Sequence, residues 1–212
     1  MKRCQCEGIE ELFDQKFVSN ELQRYRKKGP IKTTRMLIDA LKKEGVGELT
    51  LLDIGGGVGL IQRELLAAGA QKATSVDAST AYVAAAKAEA EKNGYADRVS
   101  YIQGDFVDLD EEIDNADIVT LDRVICCYDD MQNLVSLSAG HARRLYGVVY
   151  PRDVWWVKVL LAVENLGEQF RRSNFRAFVH SSDDVEALVV GNGLKRHSYQ
   201  RTLTWQVVVY GR

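Results

Sequence analysis

The residues with the clearest chemical potential are Asp53-Ile54-Gly55-Gly56-Gly57-Val58-Gly59, reached directly from the apolar run Leu49 to Leu52. An acid stands two residues ahead of the first glycine. Glycine allows positive φ and has no β-carbon, so a ligand can lie against bare backbone. The spacing predicts a strand that ends here, a sharp turn, and a helix from about Val58 to Ala68. The start of that helix offers free N–H groups and a positive dipole end to an anionic group. The loop reads as a holder for a charged, nucleoside-like molecule.

Further acids stand where later apolar runs end. Asp77 lies 18 residues after Gly59, where a carboxylate can accept from both hydroxyls of a ribose. Asp105 and Phe106 follow Gly104, and Asp122 and Arg123 follow Leu121. One acid at one strand end means little, because Asp is a common turn residue. Acids at four successive strand ends form a pattern. From Asp105 to Asp130 there are ten Asp or Glu and one base, Arg123, a setting that favours a cation. Candidate general bases are His180, Tyr128, Asp129 and Asp130, with His180 closest to neutral in intrinsic pKa.

Positioning these residues requires alternating strands and helices. Strands are expected at 49–54, 73–77, 99–104, 117–121 and 145–150. Helices are expected at 58–68, from Ser79 to Asn93, near 130–137, and from Pro151 and Asp153 to about Phe170. This alternation implies a parallel sheet with helices on both faces. A helix from Ser182 follows, and then two extended runs, 194–201 and 203–210. Only Thr202 separates them, so they pair as an antiparallel hairpin. About 48 residues precede the sheet. Ile9, Leu12, Phe13, Phe17 and Leu22 mark one amphipathic helix over 10–25, and a second covers 33–43. The basic cluster at Arg24 to Lys28, before Gly29-Pro30, reads either as a solvated helix end or as a lid whose Tyr25 and Arg26 reach a ligand.

The spacing D-x-G-x-G-x-G, the strand-end acids and the closing hairpin together resemble the class I S-adenosylmethionine (SAM) dependent methyltransferases over residues 49 to about 125. The resemblance implies a Rossmann-like α/β fold: a doubly wound, mostly parallel seven-stranded sheet with a C-terminal antiparallel hairpin and N-terminal helices. It implies one domain over 1–212, with a helical lid at 1–48 and a catalytic core at 49–212. Gly55, Gly56 and Gly57 would face the methionine part of SAM, and Asp53 would orient its amino group. Asp77, beside Ala78, would bind ribose, Asp105 and Phe106 would flank adenine, and Asp122 would border the methionine end. Tyr25 and Arg26 complete the expected cofactor set, and S-adenosylhomocysteine (SAH) would be the product. A dinucleotide fingerprint fits less well, because its third small position falls on Leu60. Two rivals stay open: an NAD-dependent oxidoreductase, and a non-catalytic domain that binds SAM or a partner.

The acceptor is expected to be a small molecule. No Asn-Pro-Pro-Tyr-like segment follows the fourth strand, and a net charge of −2 supplies no basic field for nucleic acid. Phe175 to His180 and Leu203-Thr204-Trp205 look faintly similar to the C-terminal part of magnesium-protoporphyrin methyltransferases, a hint of a large or apolar acceptor. The segment Val154 to Leu166 is apolar around most of its helix yet too short to span a bilayer. Its surplus could line the substrate cavity, meet the N-terminal helix or form a homodimer face; the first-ranked reading is a helix covering the sheet, supporting the acceptor cavity. At 46% apolar and 27% charged the composition is that of a globular protein. Cys4, Cys6, Cys126 and Cys127 form neither a disulfide framework nor a zinc set, so a cytoplasmic location without metal is expected.

Overall fold

The computed structural model describes residues 4–170 and 174–212, with side chains from residue 8 onward. The Cys4-x-Cys6 side chains lie outside the described set. Seven strands form one sheet: β1 (Thr50–Ile54), β2 (Lys72–Asp77), β3 (Val99–Gln103), β4 (Ala116–Asp122), β5 (Ala142–Pro151), β6 (Lys195–Arg201) and β7 (Trp205–Gly211). Their spatial order is β3-β2-β1-β4-β5-β7-β6. The pairings from β3 through β5 are parallel, while β7 is antiparallel to both neighbours. The hairpin therefore inserts its second strand, not its first, beside β5. The order reverses between β1 and β4, which is where open α/β sheets bind ligands at their carboxyl edge.

Strand periodicity sends alternate side chains to opposite faces. Leu52, Val119, Val148 and Val208 pack with Leu134, Val135, Val185 and Val189 of α7 (Met131–His141) and α9 (Ser182–Gly191). Leu51, Ile118, Val149 and Val207 pack on the other face against α3 (Lys32–Glu44) and α4 (Leu60–Ala67). Helix α5 (Thr80–Lys92) follows the expected Ser79 cap, whose hydroxyl accepts from the Tyr82 amide.

The N-terminal region departs from the single helix expected over 10–25. It forms α1 (Cys4–Leu12) and α2 (Gln15–Lys28), because the Asp14 carboxylate accepts from the Phe17 amide at 2.7 Å and starts a new helix. A short helix, α6 (Phe106–Leu109), also appears where only a strand end was expected; Asp105 caps it through the Val107 amide at 3.0 Å. The helix after β5, α8 (Trp155–Phe170), buries only Val157 and Leu161. It does not border the cavity described below, so its expected role as a covering helix and cavity wall is corrected.

Helix α3 is fixed by wholly buried Leu37 and Leu41 and presents Thr34 to the carboxyl edge of the sheet. Leu37→Ala is expected to destabilise the protein by about 2–5 kcal/mol, the range for emptying a packed core site. Urea denaturation followed by circular dichroism checks this.

Candidate active site at the carboxyl edge of the sheet

The glycine loop rests on a buried polar cluster. Asp53 Oδ1 accepts from the Thr120 hydroxyl at 2.7 Å and Oδ2 from Gln62 Nε2 at 3.0 Å. The same Gln62 amide donates to Ser75 Oγ at 2.8 Å. Strands β1, β2 and β4 and helix α4 are thereby joined beneath the loop. A β-carbon at Gly56 would meet Gln62 Nε2 and Ser75 Oγ, so a side chain there would displace the polar cluster beneath the loop. Gly57 differs: its φ is 54°, and a β-carbon would meet only the Tyr82 ring, at 3.8 Å. The first absence of a side chain serves packing, and the second leaves space open toward the cavity.

That cavity holds about 310 Å³. Its lining includes Asp53, Gly55, Gly56, Gly57, Asp77, Ala78, Asp105, Phe106 and Asp122, and, from the N-terminal helices, Tyr25. The four strand-end acids thus converge on one space. Asp77 accepts from the amides of Gly57 and Ser79, both at 2.9 Å. Burial raises its pKa to about 6, against those two bonds, which lower it. Burial likewise raises Asp53 to about 7, against the bonds from Thr120 and Gln62. Asp105 accepts from the Tyr128 hydroxyl at 2.8 and 2.9 Å, and Phe106 stands edge-on to the His141 ring, centroids 5.5 Å apart.

Several expected residues lie elsewhere. Arg26 does not border the cavity; it pairs with Glu89 on α5. Helical rotation of about 100° per residue turns Arg26 to the α5 side of α2, while Arg24 and Tyr25 border the cavity. Tyr25 faces inward, with the Arg63 guanidinium 4.5 Å from its ring centroid. His180 is also outside the lining: its Nε2 donates to the Tyr128 carbonyl at 2.8 Å. Burial lowers its pKa, so the imidazole is neutral and holds the wall segment in place. Asp129 and Asp130 lie outside too; Asp129 accepts from the Asp130 amide, and Asp130 caps α7. Of the candidate bases only Tyr128 reaches the cavity.

Glu21, Thr34, Arg123 and Trp205 also line the cavity, outside the expected cofactor set. Glu21 on α2 accepts from the Tyr82 hydroxyl and lies 3.6 Å from Arg123. Arg123 has a φ of 63°, outside the usual range for its type, and this turn brings its side chain to the cavity. Burial would depress its pKa, but Asp122 and Glu21 outweigh that, so the guanidinium stays charged. The Thr34 hydroxyl donates to Asp122 Oδ2. Asp122 Oδ1 and Arg123 Nε are buried without a hydrogen-bond partner in the protein. Trp205 lines the cavity because β7 runs antiparallel, so its start lies where the parallel strands finish.

Residues 51–144 match the model of a family described as a methyltransferase domain. The matched stretch runs from β1 into β5 and contains the glycine loop with Asp77, Asp105 and Asp122. The chain shares its fold with magnesium protoporphyrin IX methyltransferase from Synechocystis, solved with SAH bound, at a TM-score of 0.68 and 20% identity, covering 96% of this chain and 99% of that one. Geranyl diphosphate C-methyltransferase from Streptomyces coelicolor superposes with a TM-score of 0.67 at 16% identity, over 93% of this chain and 83% of that one. A putative sarcosine dimethylglycine methyltransferase from Galdieria sulphuraria gives 0.67 at 12% identity, over 85% of each chain. No curated protein matches the chain by sequence. The oxidoreductase alternative gains no support from these matches. Among the described residues, no group of three or more His, Cys, Asp or Glu is arranged to hold a metal, and no helix is long and apolar enough to cross a membrane.

The raised pKa of Asp77 bears on any nucleoside held in the cavity. A ligand hydroxyl donating to Asp77 needs its carboxylate, which is protonated below about pH 6. SAH affinity is expected to fall roughly fourfold between about pH 7.5 and pH 5.5, following the ionised fraction. Asp77→Asn is expected to bind weakly at both values and to keep only the part of the slope that comes from Asp53 beneath the loop. Calorimetric titration at the two pH values measures both.

Proposed function

We propose that this chain transfers the methyl group of SAM to a small acceptor with a largely apolar body. The observation that carries this reading is the apolar share of the cavity lining. Besides the glycine loop and the strand-end acids, the chamber is lined by Ile9, Phe13, Phe17, Ile31, Val124 and Trp205, with Glu21, Arg24 and Arg123 as further charged members. Two structural neighbours are named for magnesium protoporphyrin IX and geranyl diphosphate, both molecules with large apolar parts.

The site fits the cofactor on features of its own. Gly57 leaves open the space a side chain would fill, and Asp122 Oδ1 and Arg123 Nε, an ion pair 3.6 Å apart, carry no other hydrogen bond. In this reading Gly55 and Gly57 face the methionine part, Asp77 and Ala78 the ribose, and Asp105 and Phe106 the adenine. Asp53 has both oxygens engaged beneath the loop, so it acts by holding the loop rather than by gripping the amino group. Bound SAM supplies a methyl carbon already activated by positive sulfur. The protein's task is then to align the acceptor and exclude water. A base is needed only for an acceptor that arrives protonated; Glu21 is the carboxylate facing the chamber from α2.

Within a single unit spanning 1–212, the lid expected over 1–48 narrows to the helices before α3, because α3 is packed into the sheet through Leu37 and Leu41. Support comes from the seam between the N-terminal segment and α5. The Ser79 hydroxyl donates to the Phe13 carbonyl at 3.1 Å, Glu10 accepts from the Thr80 amide at 3.0 Å, and Glu21 and Arg26 bind Tyr82 and Glu89. Polar, partly exposed contacts of this kind separate more easily than a packed apolar seam. A cytoplasmic location and the absence of a nucleic-acid substrate belong to the same reading, supported by the net charge of −2 and the apolar chamber.

The test supplies methyl-labelled SAM with a panel of apolar phenols, isoprenoids, porphyrins, RNA and DNA. Label is expected in an organic-extractable product and not in nucleic acid. Phe17 lines the chamber and is 43% exposed, so its replacement spares the fold. Phe17→Glu is expected to raise the acceptor KM at least tenfold while SAM affinity stays within about twofold. Transfer to RNA or DNA, or SAM binding with no transfer to any apolar acceptor, would contradict the proposal.

A further inference from the structure

Helix α8 is turned the wrong way round for a helix lying on a sheet. Amphipathic helices of globular proteins put their apolar stripe toward the core. Here Val157 and Leu161 are buried, and Asn165 also faces the body, exchanging two hydrogen bonds with the Ala177 backbone at 2.7 and 2.8 Å. The opposite face carries Trp155, Val159, Val163, Leu166 and Phe170, between 52% and 83% exposed. Trp156 and Leu160 widen the stripe at 37% and 45%. At roughly 150–250 Å² for a large apolar side chain, these seven leave on the order of 700 Å² open to water. Monomers seldom leave so large a contiguous apolar face uncovered.

We propose that this face is the two-fold interface of a homodimer, in which α8 packs antiparallel against α8 of a second copy about the Ala162–Val163 step. The stripe is self-complementary. Reversing the helix about that step sets Trp155 against the partner's Phe170, Val159 against the partner's Leu166, and Ala162 against the partner's Val163. Each pair recurs on the other side of the axis, as an isologous interface requires. Bulky rings close the two ends, and the small Ala162 at the centre lets the helix axes approach to the usual 8–10 Å. The exposed area is close to the roughly 800 Å² per partner of a standard stable interface. Within α8 the charged residues are one base, Lys158, and two acids, Glu164 and Glu168, whereas interfacial helices carry Lys and Arg along the helix beside their apolar face. Arg171 and Arg172 follow directly in the sequence, so the vesicle experiment below is the one that separates a lipid surface from a second copy.

The interface helix is tied to the cavity. Beyond Ala177, the Phe178 amide donates to the Cys126 carbonyl at 2.7 Å and His180 to the Tyr128 carbonyl at 2.8 Å. Association would thus brace the wall that carries Cys126 and Tyr128. The proposal does not rest on the identity of the acceptor.

Light scattering on the full chain, at about 50 µM by size exclusion, tests it. The wild type is expected at twice its 23.8 kDa. Val163→Glu brings like charges together near the axis and is expected to yield a monomer that still melts cooperatively, at a temperature lowered only by the loss of association. Ala162→Cys is expected to give a disulfide-linked dimer on mild oxidation, above the wild-type background, while Leu160→Cys, away from the axis, gives none beyond it. A monomeric wild type, a dimer untouched by Val163→Glu, or equal cross-linking at both cysteines would overturn the proposal. Co-sedimentation of a monomeric wild type with anionic phospholipid vesicles would assign the face to a membrane and overturn it equally.

Discussion

The buried carboxylate of Asp53 is the interaction on which the rest of this site depends. A carboxylate without partners is costly inside a protein, and Asp53 is tolerated because Thr120 and Gln62 donate to it. Those two donors come from β4 and α4, and Gln62 also reaches Ser75 on β2. One buried group thereby fixes the ends of three parallel strands and the helix that follows the loop. The loop above has no freedom to sink, since Gly56 already lies against Gln62 and Ser75. A rigid floor of this kind lets backbone N–H groups be aimed before a ligand arrives, which lowers the ordering cost of binding.

The contrast between α3 and the two helices before it carries functional meaning. Helix α3 is bolted to the sheet through wholly buried leucines. Helices α1 and α2 are held mainly by side-chain bonds to the first turns of α5, with a small apolar cluster of Val18, Val58 and Tyr82 beneath. In the proposed reaction, a fixed floor and a roof held by such contacts serve to exclude water during transfer and to give access between turnovers.

Much of this was legible in the sequence because local rules and tertiary packing agree. The glycine spacing, the Ser79 cap and the acids after each apolar run placed the loop, α5 and the converging carboxylates. The residues that escaped are those whose position depends on other parts of the chain. Trp205 reaches the cavity only because β7 inserts between β5 and β6. Arg123 reaches it through a left-handed turn that no residue type announces. His180 carried the right chemistry but is spent on a backbone carbonyl. Helix α8 misled for a physical reason: its apolar surplus read as burial, and the structure leaves it facing solvent. The break at Asp14 was available as a capping signal, but the continuous apolar pattern on either side obscured it.

Calorimetric titration of the full chain with SAH and, separately, with NAD tests the central claim most directly. The account predicts one SAH per chain at micromolar affinity, about −8 kcal/mol, and no heat from NAD. It also predicts that Gly57→Val, placing a branched side chain in the open space beside Tyr82, abolishes the SAH signal while the protein still melts cooperatively. NAD binding in competition with SAH, or full SAH affinity in Gly57→Val, would contradict it.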